Sequence, residues 1–280
     1  MKLEYRYALI VGALIIGFII AKRIYEPQIY SNKDFSDLIN TKDITKIEFE
    51  INQKKYTFEK RDGQWMITQP YRWKADSNQI TNLITSLEKS KIYGPLTENE
   101  KLYERFEINQ NSGKITLSSN KTISFLTGKE GQSFRSLFIK FSDKKPIYEL
   151  NGISSFDLKK DPTNFIDKNL ITFKDEEIEK ISFNYANKEY TFSKKDSEWS
   201  DLKAKSIYEK LKNIRFSEIT DEKINLNADL TLTLTSKSEV NVFNFIKGKD
   251  TYIVKTSEIN FKLNEYDSKK IKEIKEILLK

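Results

Sequence analysis

A chain with no histidine and no cysteine must do any chemistry with hydroxyls, amines and carboxylates. Thiolate nucleophiles, disulfides, cysteine–histidine zinc sites and the imidazole base are all excluded. What remains is sparse. Ser86-Leu87-Glu88-Lys89 has the Ser-x-x-Lys spacing in which a lysine activates a serine. No second motif and no oxyanion hole accompany it, and Leu87 belongs to an apolar helical stripe. It therefore reads as a helix surface. Thr127-Gly128-Lys129 and Lys247-Gly248-Lys249 lack the Gly-x-x-x-x-Gly-Lys-Ser/Thr spacing of a phosphate loop and read as turns. Asp175-Glu176-Glu177 and Asp221-Glu222 gather carboxylates without the spacing of a calcium loop. They fit exposed starts of helices or strands, where negative charge is favoured. The residues thus point to no catalytic group, no metal and no cofactor, and the expectation is a protein that is not an enzyme.

Aromatic residues offer more. Trp65 and Trp199 occupy equivalent places in two similar stretches, so both are expected in cores before either is expected to stack on a ligand. Pro70-Tyr71-Arg72-Trp73 has no counterpart in the second stretch. Two rings flanking an arginine are the residue types enriched at binding hot spots, which makes Pro70, Tyr71, Arg72 and Trp73 the candidate interaction site. The alternative is a rigid lead-in to a helix, with the rings packed beneath it.

The elements that must position these residues are written twice. DITKIEFEINQKKYTFEKRDGQW at 43–65 returns at 177–199 as EIEKISFNYANKEYTFSKKDSEW, with a constant offset (178 − 44 = 134 and 199 − 65 = 134). Ile47, Phe49 and Ile51 alternate with Glu48 and Glu50, the period of a half-buried strand. Asn52 to Lys55 makes a turn, Tyr56 and Phe58 resume the alternation, and Asp62-Gly63 signals a hairpin into a strand bearing Trp65. Thr68 to Trp73 is expected to run extended. Asp76 or Ser77 then caps a helix carrying Ile80, Leu83, Ile84 and Leu87 at helical spacing. Thr97 with Glu100 fits a capping box ahead of a short helix. Strands follow around Ile115 and Leu117, Ile123 and Phe125, 137–141 and 147–150, punctuated by Gly128, Gly131 and Asp143. In the second stretch, matching Ile84 and Leu87 to Leu211 and Ile214 needs an offset of 127 (211 − 84), which predicts a helix through Ile207, Leu211 and Ile214. Strands at 230–234, 240–245, 252–254 and 259–263 lead to a closing helix with Ile271, Ile274 and Leu278 on one face.

The fold class is α+β, two tandem related units each made of an antiparallel meander, a helix and further antiparallel strands. The expected division is an anchor at 1–25, a tether at 26–42, a first unit at 43–170 and a second at 171–280. Tyr7 to Ala21 is a run of fifteen residues without a charge, bounded by Arg6 and Lys22-Arg23. At about 1.5 Å per residue it spans roughly 22 Å, and snorkelling by the flanking basic residues covers the shortfall against a bilayer. Leu9, Ile10, Val11, Leu14, Ile15, Ile16, Phe18, Ile19 and Ile20 together contribute roughly −3 to −5 kcal/mol to insertion. With Tyr7, they are the expected membrane anchor. A cleaved signal peptide has a similar length, but Ile19 and Ala21 do not make a small-x-small cleavage site. The expected topology is single-pass in the cell membrane, amino end cytoplasmic and the bulk of the chain outside. Lysine and arginine total 48 against 41 acids, a net charge of +7. The two signs are interleaved and no run of five like charges occurs, so a solvated surface is expected and not a nucleic-acid partner.

The Ile-x-x-Ile-x-Phe strand, the Tyr-Thr-Phe-x-Lys-x-Asp-Gly-x-Trp hairpin, Pro70 ahead of Ala75-Asp76, and Phe106-Glu107-Ile108-Asn109 before a strand resemble the bacterial family catalogued as domain of unknown function 4340. That family often has a Gly-Leu-Asp-like turn where this chain has Glu107-Ile108-Asn109, and the glycine is missing here. The resemblance implies one amino-terminal membrane helix and a place beside ABC-type export or gliding-motility transporters. It brings no catalytic residue. The function expected is thus a non-catalytic, membrane-anchored interaction or accessory module, with the bilayer and an ABC-type transporter membrane subunit as partners. The alternative is an envelope ligand- or polymer-binding protein that uses the cleft between its units.

Overall fold

A computed structural model describes residues 32–159, 161–220, 222 and 226–280. The candidate anchor at 7–21 lies outside the described residues. No helix among those described is long and apolar enough to cross a membrane.

The meander forms where the alternation placed it. β1 (Lys33–Asp34) precedes β2 (Lys46–Ile51), β3 (Lys54–Arg61), β4 (Gln64–Gln69) and the short β5 (Trp73–Lys74). Ile47, Phe49, Phe58, Trp65 and Ile67 point inward and are buried. Helix α1 (Ser77–Glu88) is capped by Asp76, whose carboxylate accepts from the backbone N–H of Asn78 (3.0 Å) and Gln79 (3.2 Å). Its buried Ile80, Leu83 and Leu87 each contribute about 1.5–3 kcal/mol on leaving water. β6 (Lys91–Thr97), β7 (Gly113–Ser118), β8 (Thr122–Glu130), β9 (Ser136–Phe141) and β10 (Ile147–Asn151) complete a ten-stranded antiparallel sheet, and a short helix, α2 (Ser155–Lys159), follows.

The second half contributes β11 (Ile178–Tyr185), β12 (Lys188–Lys195), β13 (Glu198–Trp199), α3 (Leu202–Lys212), β14 (Phe216–Ile219), β15 (Leu230–Ser236), β16 (Val240–Lys247), β17 (Tyr252–Lys255), β18 (Asn260–Leu263) and α4 (Glu265–Leu279). The two sheet orders coincide. The run β6-β10-β9-β8-β7-β2-β3-β4 of the first corresponds strand for strand to β14-β18-β17-β16-β15-β11-β12-β13 of the second. Their hairpins coincide too. Asn52 and Gln53 have φ of 51° and 62°, Asp62 and Gly63 have 49° and 78°. At the 134-residue offset Ala186 and Asn187 have 52° and 60°, and Asp196 and Ser197 have 52° and 70°. Two successive positive φ values make the turn whose twist suits adjoining strands.

Several expectations need correcting. Thr68 to Trp73 does not run extended: β5 folds back on β4, with Trp73 opposite Ile67 and Lys74 opposite Met66. Pro70, lacking an N–H, ends β4's pairing just before the reversal. The helix at 100–106 (a 3-10 helix) is capped by Asn99, while Thr97 closes β6. Thr127-Gly128-Lys129 is no turn but lies within β8, at a break in its register with β9. A Cβ on Gly128 would lie 2.3 Å from the Phe106 carbonyl oxygen, so the glycine lets the helix at 100–106 sit against the strand. Helix α3 ends at Lys212, which leaves Ile214 beyond it. The buried Ala204, Ile207 and Leu211 match Ile80, Leu83 and Leu87 at an offset of 124 (204 − 80), so ten residues (134 − 124) have gone since the tryptophan.

Candidate functional site

The stretch between the tryptophan and the helix that is ten residues longer in the first half includes Pro70 to Trp73. In the first half this segment reaches into the second. The Trp73 ring lies 5.0 Å from Phe261, 6.2 Å from Phe216 and 6.5 Å from Phe243, centroid to centroid. Phe216 and Phe261 are themselves stacked at 3.9 Å. The indole N–H donates to the Asp167 carbonyl at 2.9 Å, and Lys74 Nζ donates to the Thr172 carbonyl at 2.6 Å. Tyr71 packs against both cores. Both rings touch the core that holds Ile80, Leu83 and Leu87 of helix α1 as well as the second core. They tie one sheet to the other.

The connecting segment completes the junction. Phe165 stacks on Phe49 at 5.4 Å. Asp76 N–H donates to the Phe165 carbonyl and Asp167 N–H to that of Lys74, while Phe216 N–H donates to Lys168 and Leu170 N–H to Ile214. Burial pushes the Asp167 carboxyl above the usual carboxylate range, against hydrogen bonds from Asn169 and the charge of Lys74. Residues 165–170 are thus stitched to both halves.

Beside this junction an open cleft of about 600 Å³ separates the halves. Met66, Arg72 and Trp73 line one wall, and Val240, Val242 and Phe243 the other. Arg72 is exposed, so of the four candidate residues it is the one that presents a charge to this space. Val240 and Val242 are 57% and 42% exposed, large values for valines facing a concavity. Val240 to Phe243 pair with β15 on one side. On the other, β17 pairs only from Asn244 onward, and no other strand among the described residues adds to that edge. Charges around the cleft are mixed: Arg72, Lys74 and Lys174 against Glu177, Glu239 and Glu258.

The remaining candidates are structural. Asp175 receives Lys212 Nζ at 2.8 Å and the Tyr208 hydroxyl at 2.6 Å, partners that hold its carboxyl below the ordinary range, while burial and then the bond to Asp175 push the Tyr208 phenol up. Glu222 pairs with Lys262 at 2.6 Å, and Asp221 lies outside the described residues. No group of three or more acidic side chains is gathered as a metal site among the described residues. Trp65 is buried at 4% exposure, as expected, but Trp199 is only half-buried, which corrects the expectation for that residue. The reason is local. Ala75 N–H donates to the Trp65 carbonyl as the chain folds back past it, and the second half lacks that stretch. Trp199 lies instead 5.0 Å from Tyr208, with Lys194 over its ring at 5.1 Å.

Fold and cleft together define an α+β protein of two antiparallel sheets joined by an aromatic clasp, with an open groove at the join. The chain belongs to the family described as Domain of unknown function (DUF4340), whose model matches residues 65–242. No curated protein and no solved structure matches it.

Proposed function

We propose that this protein is a non-catalytic interaction module, held to a membrane by residues 7–21, whose inter-sheet cleft receives an extended segment of a partner protein. One observation carries the reading: the uncovered edge of Val240 to Phe243 opens into a groove that also presents Arg72 and Trp73. An extended peptide can add itself to such an edge through main-chain hydrogen bonds, with neighbouring side chains selecting it. The mixed charge of the walls suits a peptide better than a polyanion. The matching sheet orders and hairpins support descent of the halves, 43–170 and 171–280, from one duplicated unit. By the family resemblance, the partner is the membrane subunit of an ABC-type transporter, met outside the cytoplasm.

The intact protein, recovered in mild detergent, should retain a membrane partner, and Val242→Arg should lose it without loss of folding. Recovery of the protein alone under several detergents overturns the reading, as does a partner indifferent to Val242→Arg. A second reading, binding of an envelope ligand or polymer in the same cleft, draws on its volume and on the Trp73, Val242 and Phe243 side chains among its polar lining. It predicts retention of a small molecule or glycan in place of a protein.

A further inference from the structure

The described chain begins at one edge of the first sheet. Asp34 lies opposite Lys91, Lys91 opposite Asn151, and Asn151 opposite Ser136. One row of the sheet thus runs from β1 to the loop before β9, three strand spacings or about 15 Å away. At that end two phenyl rings face outward: Phe134 is 93% exposed and Phe156 is 70% exposed.

These rings stand on segments that are held in place, Phe134 on the loop before β9 and Phe156 on the short helix α2. The Glu149 carboxylate accepts from the Gln132 N–H at 3.0 Å and the Ser136 hydroxyl at 2.7 Å. Gly152 N–H donates to the Arg135 carbonyl at 2.8 Å. Helix α2 is also tied to β8 and to the Phe134 loop, Ser155 Oγ to Glu130 at 2.7 Å and Asp157 to the Arg135 guanidinium at 3.4 Å. A phenylalanine almost wholly in water on so well-anchored a loop adds nothing to packing. Paired on one tip, such rings mark a surface that meets something apolar.

What lies close is set by chain length. From Ala21, the end of the apolar run, to Lys33 is twelve chain steps (33 − 21), which span at most about 40 Å. We propose that the Phe134–Phe156 end of the first sheet sits on the bilayer surface, both rings reaching the boundary between headgroups and acyl chains. This rests on the reading of residues 7–21 as an anchor. The basic residues near this end (Lys33, Lys89, Lys91, Lys129 and Arg135) are matched by Asp34, Glu88, Glu130, Glu149 and Asp157. The contact is therefore carried by the rings and changes little with salt.

Because the chain has no cysteine, single-site labelling is clean. Full-length Phe134→Cys, Phe156→Cys and, in the exposed turn after β11, Asn187→Cys would carry an environment-sensitive fluorophore. Each is reconstituted into phosphatidylcholine–phosphatidylglycerol vesicles with or without headgroup-region nitroxide lipid. The labelled protein should float with the vesicles. Probes at 134 and 156, seated about 5–10 Å into the boundary, should lose most of their emission to the nitroxide, and the probe at 187 should keep its own. Flotation with all three probes unquenched overturns the docking and leaves the anchor standing. Cross-linking between two copies at position 134 in place of quenching overturns it in favour of self-association. Failure to float overturns the anchor and the docking together.

Discussion

Trp73 and Phe261 meet ring to ring, their centroids 5.0 Å apart and their planes inclined at 56°, although one belongs to the first sheet and the other to the second. The contact joins a segment present in one half to a core strand of the other. Cohesion of the halves therefore depends on a few side chains that the second half does not itself possess.

Trp73→Ala should separate the two halves more than it unfolds either. Truncating a large packed aromatic costs about 3–5 kcal/mol, and the half-burial of Trp73 sets the lower end of that range. Limited proteolysis should then cut between 165 and 173, and denaturant unfolding should split into two transitions. Arg72→Ala, at an exposed position, should stay within about 0.5 kcal/mol of the parent. One cooperative transition in Trp73→Ala would contradict the clasp.

The four matched turns allow a reciprocal test. Ser197 holds φ at 70° where its counterpart is Gly63, and no heavy atom lies within 4 Å of a Cβ built on Gly63. Only backbone conformation then separates the two residues. Ser197→Gly should stabilise the protein by about 0.5–1 kcal/mol, and Gly63→Ser should destabilise it similarly. Urea midpoints for the two variants should move in opposite directions.

Gly128→Ala should be costly because the new methyl meets a backbone oxygen, not a flexible side chain. Overpacking of this kind typically costs about 1–3 kcal/mol. A melting temperature unchanged from the parent would show that the helix at 100–106 can shift aside.

Two carboxylates should respond to acid in opposite ways. Asp229 loses solvation, but Lys275 and the Tyr252 hydroxyl, each 2.7 Å away, outweigh this and keep its carboxyl below the ordinary value. Its contribution is present above the unfolded pKa near 4 and fades as pH falls through the lower folded value, so Asp229→Asn should flatten that part of the acid limb. Asp167 is raised by burial. Its ionised form is disfavoured in the fold, so Asp167→Asn should raise the melting temperature at pH 7 and lose that advantage below the unfolded pKa. The same cluster has an alkaline limb: Tyr252 is pushed up to about 12 by burial and by Asp229. That share of stability is intact below about pH 10 and fades as pH rises through 12.

What the sequence disclosed was local. The hairpins, helix α1 and helix α4 follow from alternation, turn residues and 3.6-residue spacing, all readable within about twenty positions. β6 escaped because Gly94 and Pro95 interrupt it, and both normally argue against a strand interior. β14 escaped because its apolar Phe216 and Ile219 stand three apart, off the two-residue period, across a register shift between Phe216 and Glu218. The role of Tyr71 and Trp73 was hidden for a different reason. Their absence from the second half marked them, but nothing nearby in the chain tells that Phe216, Phe243 and Phe261 receive the indole. Distant packing leaves no trace in local spacing. Glu107, where the family resemblance implies a glycine, itself adopts φ of 54°, so the turn forms without one.

The shortness of β13 has a further result. It covers β12 only at Lys194 and Lys195, so among the described residues the stretch from Lys188 to Ser193 has β11 on one side and no strand on the other. Such borders invite copies of a chain to stack into fibres. Here Lys188 and Glu189 stand at its start and Lys194 and Lys195 at its end, charges that resist intermolecular β-pairing. Neutralising those lysines would turn a soluble rim into a seed for aggregation.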